Sequence, residues 1–89
     1  MDLSQARENI EDIDKQMAKL FEKRMECSRE IAIYKKENNI PIYDAAREKT
    51  LIEKNSSYIK NDMLKEYYLD FFRGLLETSK KYQEKLKNN

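Results

Sequence analysis

Apolar side chains recur through the first third of the chain in steps of three and four: Leu3, Ala6, Ile10, Ile13, Met17 and Leu20, then, after one gap, Cys27, Ile31 and Tyr34. Two columns result, Leu3, Ile10, Met17 and Ile31 beside Ala6, Ile13, Leu20, Cys27 and Tyr34. They are the paired seam positions of a heptad, so the pattern predicts one amphipathic helix over about 3–37. Asn38-Asn39-Ile40-Pro41 ends it, because proline disfavours helix in the residue before it and has no N–H to donate. A shorter helix is predicted over about 44–54, opened by Asp44 as cap and as a charge against the dipole. Asn55-Ser56-Ser57 reads as a break, and a third helix over about 61–86 carries Leu64, Tyr68, Phe71, Phe72, Leu75 and Leu76. One Gly and one Pro in 89 residues, with 39% charged, leave too few turn formers for a sheet. The expected fold class is all-α: one long, one short and one medium helix in a single domain, 1–89.

Helix lengths then bear on assembly. At 1.5 Å per residue the three helices would measure about 50, 16 and 37 Å. Two shorter helices cannot cover so long a seam and still close a compact monomer, and a lone core of this size is marginal. The seam calls for a second copy of itself, so an intertwined homodimer is expected.

What is missing narrows the chemistry. Eighteen Lys+Arg against seventeen Asp+Glu give +1, so no overall field favours nucleic acid or a membrane surface. The start, MDLSQAREN, has no basic-then-apolar signal pattern, and no run of about 18 apolar residues could span a bilayer. Cys27 is the single cysteine and cannot form an internal disulfide, which fits a reducing cytoplasm. With no histidine, zinc sites and Cys-His or Ser-His nucleophiles lose their usual parts, and Gly74 alone cannot build a glycine-rich phosphate loop. The expected chemistry needs no metal or cofactor and falls to Arg, Lys, Asp, Glu, Ser, Gln and shape.

The informative positions are those that break the pattern. Counting by sevens from Leu3 puts Arg24 on the apolar seam. It is either a snorkelling or register-setting residue, or an interior cation that awaits an anion, since an unpaired buried charge is costly. Lys35 lies eleven residues on, nearly the same face, about 16 Å along the axis. Arg7 lies seventeen residues before Arg24, about 25 Å away, and could reach the same small ligand only from an antiparallel partner helix. On the third helix, Ser79 and Gln83 stand four apart where the apolar stripe should continue; they are frayed into solvent or aimed into a pocket. Asp44, Arg47 and Glu48 share one turn at a helix start, either as cap and surface pair or as ligand contacts.

Together these residues resemble the all-helical (AroQ-type) chorismate mutases. The match consists of Arg7, Arg24 and Lys35 at their spacings, the block Pro41-Ile42-Tyr43-Asp44-Ala45-Ala46-Arg47-Glu48, and Ser79 with Gln83. The opening Arg7-Glu8-Asn9-Ile10-Glu11-Asp12-Ile13-Asp14 is similar to that family's R-x-x-I-D-x-[IL]-D, with Glu11 where the pattern has Asp. The resemblance covers nearly the whole chain. It implies a domain-swapped homodimer with two sites, each drawing side chains from both chains, and the Claisen rearrangement of chorismate to prephenate without cofactor. By position it implies that Arg24 and the partner's Arg7 grip carboxylates, and that Lys35 and Gln83 donate to the ether oxygen. Glu48, with the Asp44 backbone N–H, takes the ring hydroxyl; Ser79 adds a carboxylate contact and Arg47 supports the edge. An isochorismate pyruvate lyase on the same fold and a non-catalytic helical dimerisation module are the alternatives. Nothing in the sequence assigns roles to Cys27, Ser28 or Tyr43, and no phenylalanine or tyrosine feedback site is expected in these residues.

Overall fold

The computed structural model describes residues 2–89, and its three helices are α1 (Leu3–Glu37), α2 (Ala45–Tyr58) and α3 (Lys65–Lys87), with a 3₁₀ turn at Asp62–Leu64 before α3. No strand occurs among the described residues, and no helix among them is long and apolar enough to cross a membrane. α1 starts where Asp2 Oδ1 accepts from the Gln5 backbone N–H at 2.8 Å. It stops two residues before the last position that Pro41 allows. Asn39 takes the left-handed conformation (φ 53°), and the Ile40 N–H reaches back to the Lys35 carbonyl at 2.8 Å. That six-to-one closure satisfies the last carbonyls of the helix, with asparagine in the place glycine most often takes.

α2 begins as expected, with Asp44 Oδ1 accepting from the Arg47 backbone N–H at 3.0 Å, but it runs on through Asn55-Ser56-Ser57 to Tyr58. Polar residues that often end helices here bond back into this one. Asn55 Nδ2 donates to the Leu51 carbonyl at 2.9 Å and Ser57 Oγ to the Lys54 carbonyl at 2.6 Å, while Tyr68 of α3 donates to Asn55 Oδ1 at 3.2 Å. The break falls instead at extended Ile59, after which Asn61 caps the 3₁₀ turn by accepting from the Met63 N–H.

α3 packs against both α1 and α2. The buried side chains are Ala32, Ile42, Phe72 and Leu76, with Ser28 and Ser79 among them. On α1 the covered face is therefore the flank of Ser28 and Ala32, not the predicted seam residues Cys27, Ile31 and Tyr34, which are exposed. Two small residues four apart on one face let a neighbouring helix come close, which large seam residues would prevent.

The other half of α1 has no cover from its own chain. Leu3, Ile10, Ile13, Met17, Leu20 and Phe21 are all exposed, Leu20 at 63%. The molecule measures 53 × 25 × 14 Å, as long as α1 and little thicker than one helix. Its radius of gyration is 16.0 Å, against about 12 Å for a compact domain of this length. Its accessible surface is 7330 Å², about 1,800 Å² above the roughly 5,500 Å² of a compact monomer of its mass.

Candidate active site

A cavity of about 340 Å³ lies where the C-terminal half of α1, the link ahead of α2, the first turns of α2 and the end of α3 converge. Small-molecule sites begin at about this size. Seven of the eight residues singled out from the sequence line it: Arg24, Lys35, Asp44, Arg47, Glu48, Ser79 and Gln83. Arg7 does not. It lies near the start of α1 in a separate shallow hollow with Asp2, Leu3, Ser4, Glu8 and Glu11.

Arg24, Lys35 and Gln83 are each held by one hydrogen bond and keep donors to spare. Arg24 donates from Nη1 to Ser79 Oγ at 2.7 Å, and its guanidinium lies 5.8 Å from the centroid of the Phe72 ring. Most of its five N–H donors stay available to a ligand. The ring face and the serine together explain how a cation is tolerated beside this core, since both offer partial negative charge. Lys35 Nζ donates to the Ile42 carbonyl at 3.0 Å, and Gln83 Nε2 to the Ser28 carbonyl at 3.0 Å. Each thereby keeps a further N–H for the cavity.

Ser79 is buried, so the end of α3 is not frayed at that position. Its hydroxyl accepts from Arg24 and turns its own proton toward Met25 Sδ at 3.8 Å, a weak acceptor. Ser79 therefore steadies the Arg24 guanidinium. Asp44 is occupied as the cap of α2.

Two lining residues that make polar contacts at the cavity received no role from the sequence. Ser28 contributes its backbone carbonyl to Gln83, and the signal for it was its small size at a helix contact. Lys80 bridges Glu48 Oε2 at 3.2 Å and Glu77 Oε1 at 2.9 Å, with its ammonium 4.6 Å from the centroid of the Tyr43 ring. Hydrogen bonds to Glu77 first, then Glu48, raise the Lys80 ammonium above the ordinary lysine value of 10.5, so it is a cation throughout the neutral range.

Four cationic side chains (Arg24, Lys35, Arg47, Lys80) face two acids (Asp44, Glu48) around this cavity, an excess of two positive charges. A small dianion matches that excess. No histidine exists in the chain to act as a general base, and the lining cysteine Cys27 has no histidine to activate it. The arrangement is suited to holding and polarising a ligand, by oriented N–H donors, rather than to attacking it.

Residues 6–84 match the family model of chorismate mutase type II. Among curated proteins, the bifunctional chorismate mutase/prephenate dehydratase of Buchnera aphidicola subsp. Schizaphis graminum (strain Sg) is 39% identical over 88 residues. That alignment takes in 98% of this chain and 23% of the relative, so the chain spans about a quarter of the length of the protein it matches. No solved structure matches the chain.

Proposed function

The chain belongs to the chorismate mutase type II family, and on that premise we propose that it converts chorismate to prephenate by a Claisen rearrangement. The reaction is unimolecular: the ether C–O bond breaks as a C–C bond forms, and no proton or electron is exchanged with the protein. Catalysis then reduces to two tasks. One is to trap the compact chair-like conformer, in which the reacting carbons are close. The other is to stabilise the negative charge that grows on the ether oxygen as its bond lengthens.

The residues suit both tasks. Arg24 grips a substrate carboxylate, the planar fork of arginine being the best fit to one. Lys35 and Gln83, on facing helices, donate to the ether oxygen, and Lys35 also lies near a carboxylate. Glu48 and the Asp44 backbone N–H take the ring hydroxyl, and Arg47 guards the edge. Ser79 acts through Arg24 as well as on the carboxylate.

The second carboxylate needs a further cation, and Arg7 supplies it from a second copy of the chain. That copy lies in an intertwined homodimer whose partner helix covers the exposed apolar half of α1. About 1,800 Å² of surplus surface per protomer is of the size that obligate dimers bury.

The observation that supports this reading best is the meeting of Arg24, Lys35, Glu48, Ser79 and Gln83, spread over sixty residues of sequence, at one cavity with surplus positive charge. Its test is to mix the purified chain with chorismate and follow the loss of its ultraviolet absorbance, with pyruvate assayed in parallel. Prephenate without pyruvate is the expected result. Pyruvate release would assign a lyase instead; a folded dimer without turnover would be assayed next with isochorismate for pyruvate release, and inactivity there too would leave only a helical scaffold.

A further inference from the structure

We infer that Lys80 is a positioning residue for Glu48: it holds one carboxylate oxygen so that the other is presented to the substrate's ring hydroxyl. The inference rests on the chorismate mutase reading above and extends it to a residue outside the matched constellation.

The geometry singles this lysine out. Three elements meet at its ammonium: Glu48 of α2 at 3.2 Å, Glu77 of α3 at 2.9 Å, and the Tyr43 ring of the link at 4.6 Å to its centroid. The side chains of Lys80 and Glu48 are only 24% and 26% exposed. The other ion pairs among the described residues, Lys65–Asp62, Arg73–Asp70 and Lys80–Glu77, join residues three apart on α3 or at its start. Of these ion pairs, Lys80–Glu48 alone ties two helices together at the cavity wall.

Its consequence for binding follows from valence and entropy. A glutamate at a helix surface samples several rotamers, and selecting one on binding costs affinity. An ammonium is a point donor, unlike the two-pronged guanidinium, so it engages Oε2 and leaves Oε1 with its lone pairs free for a hydroxyl. The acceptor is thus fixed before substrate arrives. The raised proton affinity of Lys80 keeps that clamp charged across the neutral range.

The test compares kcat/KM for chorismate with that for its analogue lacking the ring hydroxyl, in the wild type and in Lys80→Met, with thermal unfolding measured beside it. A hydrogen bond between the hydroxyl and ionised Glu48 makes the wild type prefer chorismate on the order of 10- to 100-fold. Lys80→Met is expected to shrink that preference by about fivefold or more; the cavity charge it removes acts on both substrates alike, so the ratio reports on Glu48. Lys80→Arg, whose two-pronged guanidinium can occupy both carboxylate oxygens, is expected to shrink it too. Lys80→Gln is measured as well, so that the ratio is read even if an apolar side chain is not tolerated. A role confined to tying α2 to α3 would lower both substrates equally and leave the ratio unchanged, which overturns the inference. An unchanged ratio with active wild-type enzyme removes the role of Lys80 alone; no chorismate turnover by the wild type removes the underlying function too.

Discussion

The two halves of α1 carry the same apolar periodicity, exposed in both, but only the second half gains cover, on the neighbouring flank of Ser28 and Ala32. From Arg24 onward the helix is covered by α3: Ser28 and Ala32 are buried, and Arg24 and Lys35 are half-buried at a cavity. From Leu3 to Phe21 every large apolar side chain is exposed. One helix therefore presents a finished wall and an unfinished one. The covered half has a neighbour with the right pattern thirty or more residues later; the uncovered half has none in its own chain. Apolar periodicity specifies a wish for cover, and only tertiary structure says who supplies it. The same division runs through the candidate site, since seven of its members lie at the covered half and Arg7 lies on the uncovered one.

The sharpest way to break this contrast is a charge in the uncovered half. Leu20→Glu alters a side chain that is 63% exposed in the protomer, where such a change costs no more than about 0.5 kcal/mol. If a second copy covers it, sedimentation should show monomers and kcat/KM should fall on the order of 10³-fold, because the site loses the partner's cation. In the covered half, Lys35→Ala is expected to lower kcat on the order of 10²-fold, followed by steady-state kinetics, with a smaller change in KM. On the proposed mechanism, the charge on the ether oxygen that Lys35 meets develops in the transition state, so binding suffers less.

Gln83 gives a subtler test at the same wall. An amide donates at any pH, so the wild-type rate should stay flat between about pH 5 and 8; Lys80, raised above 10.5, does not titrate in that window. Gln83→Glu can donate only when protonated, so its rate should fall as pH rises through that range. The smallest effect maps where cover ends. A Cβ added at Gly74 of α3 meets nothing within 4 Å in the protomer, so Gly74→Ala should raise stability by about 0.5–1 kcal/mol in thermal unfolding. A loss there would place the second copy directly over that turn.

Much of this was legible in the sequence because the site residues interrupt a regular pattern. Arg24 stands out against a heptad, and Ser79 and Gln83 against an apolar stripe. α1 itself was readable from Leu3 to Glu37, since its caps and period agree. The end of α2 was not, because the helix owes its continuation at Asn55 partly to Tyr68, thirteen residues away. The rotation of the covered face onto Ser28 and Ala32 was hidden as well: small residues carry little hydropathy, and their value depends on how closely α3 approaches. Lys80 gave no signal among eighteen basic residues, since its meaning comes from Glu48, thirty-two positions earlier.

The most direct test of completion by a second copy is to co-refold equal amounts of Arg7→Ala and Lys35→Ala and assay chorismate turnover. Each variant alone should be nearly inactive. In a dimer whose sites take Arg7 from one chain and Lys35 from the other, half the dimers are mixed and each mixed dimer has one intact site of two. About a quarter of the wild-type rate should therefore return, by the statistics of a two-fold assembly. A mixture no more active than the sum of its parts would contradict the shared site and confine the chemistry to one chain.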